Sequence, residues 1–133
     1  FIGLSARTDR IGAAALARLL DQFGQRAEVV ETPPEVLHLK TACSLIDEET
    51  VLATRALAQS GIFSDYRVIE VPQAERGGAN VLRVNKHLLV GATYPAIADL
   101  LANYGATVVQ LENREIAKID AGFTCMSLRW RAV

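Results

Sequence analysis

Thiols are scarce in this chain. Cys43 and Cys125 are the two cysteines in 133 residues, too few for a disulfide framework and suited to a reducing compartment, which points to the cytoplasm. An excess of one charge is also missing: 14 Lys and Arg stand against 15 Asp and Glu, a formal net charge of −1. The basic residues are scattered, and only Arg129 and Arg131 come close together. A nucleic-acid partner would need a clustered excess of Lys and Arg to neutralise phosphates, so none is expected. No uninterrupted apolar stretch approaches the ~20 residues that span a bilayer, and the opening FIGLSARTDR lacks the apolar core of a signal peptide. An initiator methionine is lacking too. The chain starts at Phe1, inside an expected strand, and reads as a piece of a longer protein. What is present is a chain half hydrophobic by composition, long enough to bury a core as a single domain over residues 1–133.

That hydrophobic content is organised as a repeat. Leu16, Leu19, Leu20 and Phe23 fall at i, i+3, i+4, i+7 and are followed by Gly24; Ile97, Leu100, Leu101 and Tyr104 repeat the spacing and are followed by Gly105. Each set predicts an amphipathic helix closed by a glycine in the left-handed cap conformation. Thr8 or Asp9 can cap the first helix, and Pro95 suits the first turn of the second. A β-rich run follows each: AEVVE at 27–31 and ATVVQLE at 106–112. A weaker copy lies between, with a short helix in LATRALAQSG (52–61) and a strand in YRVIEVP (66–72). VLHLKTACSLI (36–46) with TVLA (50–53) predicts a hairpin around the acidic turn Asp47-Glu48-Glu49. NVLRVN (80–85) with HLLVGA (87–92) predicts another, turning at Asn85-Lys86. TCMSLRW (124–130) reads as the opening strand of a further unit. The fold class is α/β, built of repeated ββαβ units about every 40 residues, and the unfinished last unit suggests a ring whose two chain ends share one blade.

Candidate chemistry is sparse. Cys125 lies in DAGFTCMSLRW, where Phe123, Met126 and Leu128 suit a buried strand and a thiol is ordinary packing, yet Ala121 and Gly122 just before it could form a bend that exposes it. A thiolate held by a cation or histidine is a nucleophile, whereas free cysteine is also among the most buried residue types. His38, between Leu37 and Leu39, would on a strand point away from both leucines, into a site or simply into solvent. His87 sits beside a turn and reads as surface. Arg7, between a short strand and a helix, could clamp a carboxylate or merely decorate the helix start. Cys43, Cys125, His38 and His87 offer no CxxC or HxxxH pair, so no structural metal is expected. GG at 77–78 lacks the Lys-Ser/Thr of a phosphate loop and reads as a bend.

Taken in order, FIGLSART, VLHLKTACS, GGANVLRVN and EIAKIDAGFTCMSLRW resemble the dimethylarginine dimethylaminohydrolase family of the guanidino-group-modifying superfamily. The resemblance runs from Phe1 to Trp130. It implies about half of a five-bladed α/β propeller (the pentein fold), the C-terminal half, with the N-terminal half as its partner. It implies Cys125 as nucleophile, His38 as general acid/base, Arg7 as the residue holding the substrate α-carboxylate, and Ile119 as the position whose backbone carbonyl accepts from the amino-acid end. The implied substrate is a small guanidino compound, a methylated arginine, converted to citrulline and an amine without metal or organic cofactor. Zinc captured by Cys125 and His38 would inhibit. The family's carboxylates that orient the histidine and bind the guanidinium match nothing in this chain, so the chain alone is expected to be nearly inactive. Two other readings stay open: an arginine or agmatine deiminase or amidinotransferase relative, and a non-catalytic fragment that associates with a separately made half. Half a ring would expose apolar edges, so self-association into a homo-oligomer is expected.

Overall fold

Successive sheets, each bridged by a helix, make up the computed structural model of the chain, which describes residues 1–119 and 121–128. The first is a parallel pair, β1 (Ile2–Leu4) and β2 (Val29–Glu31), joined through α1 (Arg10–Gln22). Asp9 caps α1, its carboxylate accepting from the Gly12 N–H at 2.7 Å, which satisfies one of the donors a helix start leaves unpaired. Gly24 closes the helix at φ +67°, as Gly105 closes the later one at φ +95°; both are left-handed values that a side chain would disfavour.

The second sheet follows a single helical turn, α2 (Leu39–Ala42). It holds β3 (Cys43–Leu45), β4 (Thr50–Ala53) and, after α3 (Arg55–Ala58), β5 (Arg67–Glu70). β3 runs antiparallel to β4, with Cys43 opposite Ala53, and β4 runs parallel to β5. A 3-10 segment, Gln73–Ala79, leads into the third sheet, β6 (Leu82–Val84) and β7 (His87–Gly91), then α4 (Pro95–Asn103) and β8 (Thr107–Leu111). β6 and β7 pair antiparallel across a two-residue turn in which Asn85 takes φ 54°, and β7 and β8 are parallel. Each of these two sheets is thus a complete ββαβ unit, and among the described residues the first is the same unit short of one antiparallel strand. The repeat expected from the sequence is present. After β8 come a short helix, α5 (Arg114–Ala117), and a 3-10 turn, Phe123–Met126.

The core follows from the strand order. β4 lies in the middle of its sheet and all four of its residues are buried, as expected of a strand covered on both faces. Leu52 and Leu57 are fully enclosed. On α4, Ile97, Ala98 and Leu101 are buried, each large side chain contributing about 1.5–3 kcal/mol of apolar transfer.

Several expectations need correction. α1 carries the same apolar spacing as α4, but only Ala13 is buried on it, and Leu16 and Phe23 are 44% and 73% exposed. Among the described residues its sheet has two strands rather than three, too narrow to cover the stripe. Residues 36–42 are not a strand. His38 keeps an extended backbone, but its carbonyl accepts from the Thr41 N–H and the Thr41 hydroxyl at 3.1 and 2.9 Å, and α2 follows. The hairpin expected over 36–46 and 50–53 is therefore confined to Cys43–Leu45 and its partner. At the other end, residues 123–126 form the 3-10 turn instead of a strand. Phe123 is buried, whereas Met126 and Leu128 are exposed, Leu128 at 90%. The remainder of that expected strand, Arg129 and Trp130, lies outside the described residues. The helix sought in 52–61 shrinks to α3 because Leu52 and Ala53 belong to β4. GG at 77–78 is part of the 3-10 segment.

Candidate active site

Four segments converge through side-chain hydrogen bonds onto the loops that carry the candidate residues. Arg7 lies in the turn after β1. Its N–H donates to Ser5 Oγ at 3.0 Å, and the Ser5 hydroxyl donates to the Leu37 carbonyl at 2.7 Å. This ties the Arg7 turn to the residue before His38. On α2, two residues past His38, Lys40 Nζ donates to the Thr124 carbonyl at 3.0 Å, so the His38 segment is tied to the residue before Cys125. The turn itself is closed by the Cys125 N–H donating to the Gly122 carbonyl at 3.0 Å.

The fourth segment supplies a residue that sequence reasoning missed. Asn80, at the end of the 3-10 segment and 6% exposed, accepts from the Thr124 N–H through Oδ1 at 3.1 Å and donates from Nδ2 to Cys125 Sγ at 3.6 Å. Ser44, buried in β3, clamps both of its neighbours: its hydroxyl donates to the Ala79 carbonyl at 2.7 Å and accepts from the Val81 N–H at 2.9 Å. Gly122 lets the amide approach, because a Cβ there would stand 2.4 Å from Asn80 Cγ. An asparagine after GGA reads as a turn residue, and nothing local betrays that it reaches a cysteine 45 positions away.

The two thiols differ sharply. Cys125 is exposed on its turn. Cys43 is half-buried at the start of β3 and donates to the Leu39 carbonyl at 3.2 Å; burial pushes its thiol up to about 11, since removing water disfavours the charged form. His38 is exposed and its ring makes no hydrogen bond among the described residues; it lines an apolar hollow of about 570 Å³ with Leu37, Leu39, Val51 and Phe63. A larger cleft of about 820 Å³ runs past Asn80, Ala121 and Gly122 to Arg55, Arg76 and Tyr94. Neither cavity holds Cys125 and His38 together. The Arg7 side chain is exposed and has no ion pair among the described residues. Ile119 follows α5, 77% exposed, with its N–H donating to the Ile116 carbonyl at 3.2 Å. The structure therefore brings the backbones of Arg7, His38 and Cys125 into one network and leaves Ile119 outside it. Among the described residues, no group of three His, Cys, Asp or Glu is placed to hold a metal ion, and no helix is long and apolar enough to cross a membrane.

No protein-family model matches the chain. Among solved structures, a Pseudomonas aeruginosa dimethylarginine dimethylaminohydrolase, a cysteine-to-serine variant complexed with citrulline, superposes with a TM-score of 0.90 at 35% identity, covering 97% of this chain and 50% of its own. A histidine-to-glycine variant of such an enzyme, solved as an adduct with S-methyl-L-thiocitrulline, gives 0.91 over the same shares at 35% identity. An amidinotransferase from Microseira wollei, at 18% identity and a TM-score of 0.81 over 98% of this chain and 42% of its own, shares the fold. The class is accordingly the α/β fold common to the dimethylarginine dimethylaminohydrolases and the amidinotransferases. Within it, the chain is homologous to the dimethylarginine dimethylaminohydrolases: it is 35% identical to that of P. aeruginosa over 130 residues and 32% identical to that of Streptomyces coelicolor over 132, 98% of this chain in both cases. It spans 51% and 50% of those proteins, about half their length.

Proposed function

We propose that this chain is the C-terminal part of a hydrolase that converts an N-methylated arginine to citrulline and methylamine or dimethylamine, with Cys125 as nucleophile and His38 as general acid/base. The observation that carries the reading is an exposed thiol held on a fixed turn, tied through Lys40 to the segment bearing His38, in a chain homologous to dimethylarginine dimethylaminohydrolases. Sequence spacing supports it as well: the cysteine and the histidine substituted in the two solved relatives are 87 positions apart, as are Cys125 and His38.

The chemistry suits these groups. A guanidinium is cationic and resonance-stabilised, a poor electrophile that water attacks very slowly, so a soft thiolate and well-placed proton transfers are needed. The Cys125 thiolate attacks the guanidino carbon and forms a C–S bond. The tetrahedral adduct then breaks its C–N bond to the methylated nitrogen, and His38 supplies the proton that leaves with the amine. Water, deprotonated by His38, attacks the resulting thiouronium; the C–S bond breaks and the carbon keeps the oxygen as the ureido group of citrulline. Arg7, whose guanidinium is unpaired among the described residues, holds the substrate α-carboxylate, and the Ile119 carbonyl accepts from the α-amino group. In this reading no metal or organic cofactor takes part, and zinc would inhibit by competing for Cys125 and His38. The two complete ββαβ units and the incomplete first one would be successive blades of a five-bladed propeller, completed by an N-terminal half that carries the guanidinium-binding carboxylates. Two free thiols suit a reducing compartment and support a cytoplasmic location.

The test is turnover in the full-length protein that contains this chain. Dimethylarginine should yield citrulline, and Cys125→Ser or His38→Gly should lower kcat by at least about 10³-fold. A Cys125→Ser protein that still releases citrulline at the parent rate overturns the reading.

A further inference from the structure

We propose that Asn80 is a positioning residue for the nucleophile, holding the Cys125 turn through one end of its amide and favouring the thiolate through the other. The proposal rests on the reading of Cys125 as the nucleophile, and its geometry stands on the observed contacts. A carboxamide has one acceptor oxygen and one donor nitrogen, and the network decides which faces where. Here the Thr124 N–H can only donate, so Oδ1 must face it, and Nδ2 is left pointing at Cys125 Sγ. Flipping the amide would set two donors against each other at 3.1 Å. The side chain cannot swing aside cheaply either: Ser44 fixes the backbone on both flanks, and Asn80 is almost wholly enclosed, with Gly122 against its Cγ. A donor fixed in that position stabilises negative charge on sulfur and does less for the neutral thiol. Such a donor requires no reorganisation when the thiolate forms.

Asn80→Asp and the neutral Asn80→Ala together separate this role from a merely structural one. The aspartate is nearly the same size, and one carboxylate oxygen can still accept from the Thr124 N–H, so the turn stays held. Opposite the sulfur, however, an acceptor replaces the donor. The pH midpoint of Cys125 alkylation by iodoacetamide should rise by at least about one unit, with an approximately tenfold slower reaction at pH 7, while Cys43 stays protected. The new carboxylate charge by itself also raises that midpoint, so the neutral Asn80→Ala decides: it removes the Nδ2 donor without adding charge, its midpoint should rise as well, and an unchanged midpoint in Asn80→Ala overturns the proposal. The unsubstituted chain supplies a second measurement that does not depend on the variant folding. The Asn80 side-chain amide resonances should shift with the titration of Cys125 and stand still in Cys125→Ser; resonances that pass through that titration unmoved also overturn it. Both readouts follow the thiol and not turnover, so they can fail while citrulline release succeeds, and the reverse.

Discussion

At the scale of single residues, the two cysteines show how environment and not residue type sets reactivity. Cys43 is held near 11 by burial, so at pH 8 only about a thousandth of it is thiolate, while Cys125 stands exposed on its turn. Brief treatment with iodoacetamide at pH 8 should modify Cys125 and spare Cys43, as read by peptide mass spectrometry. Equal modification of both would remove the basis for treating Cys125 as the reactive thiol. The sequence pointed to Cys125 through its surroundings, the AG before it and the order of segments around it. It was misleading about Phe123, Met126 and Leu128, which do not form a buried strand. Of the three, Phe123 alone is buried, because residues 123–126 wind into a 3-10 turn instead of pairing as a strand.

At the scale of elements, the joints between units are made by polar side chains that reach across sequence. Glu75, in the 3-10 segment, accepts from the Ala96 and Ile97 N–H groups at 3.1 and 3.0 Å. It caps α4 from outside, where Tyr94 at the N-cap makes no side-chain bond. Tyr104, just past the end of α4, donates to Asp47 Oδ2 at 2.6 Å and shares a 2.9 Å hydrogen bond with buried Thr50, and the Arg67 guanidinium lies 5.2 Å over its ring. The Tyr104 hydroxyl, and after it the Glu49 N–H, hold the Asp47 carboxyl below the usual carboxylate range. A depressed folded-state pKa means a contribution to stability that is complete above the unfolded value and is lost as pH falls through the folded one. The urea midpoint should therefore drop as pH is lowered below about 4, and Tyr104→Phe should flatten that part of the pH dependence. If Tyr104→Phe leaves the acid limb unaltered, the hydrogen bond does not contribute. Sequence indicated these helices and the acidic hairpin turn because caps, prolines and apolar spacing are local signals. It could not indicate that Glu75 and Asp47 meet α4, since the partners of each lie 21 to 57 residues away.

At the scale of the whole molecule, the repeat is complete in its middle and open at its first unit. The α1 face exposes Ile11, Leu16, Leu19 and Phe23, and the two-stranded sheet beneath it has no third strand among the described residues. Uncovered apolar area of this kind favours association. The 133-residue chain expressed alone should self-associate, with a sedimentation coefficient that rises with concentration. Leu16→Gln with Phe23→Gln should weaken that association while leaving far-UV circular dichroism unchanged. A chain that stays monomeric at high concentration contradicts the expectation.

By itself the sequence determined the ββαβ repeat, its helix ends at Gly24 and Gly105, and the hairpin turns at 47–49 and 85–86. All of these rest on steric and periodic rules that act within about a dozen residues. Tertiary structure decided the rest. It decided that residues 39–42 wind into a helical turn after His38, that of two equal apolar stripes only the one on α4 is covered, and that Cys125 sits on a turn between Lys40 and Asn80. The physical reason is that a strand or an apolar stripe is realised only where another element supplies the partner for its backbone or its surface. No local pattern carries the position of that partner.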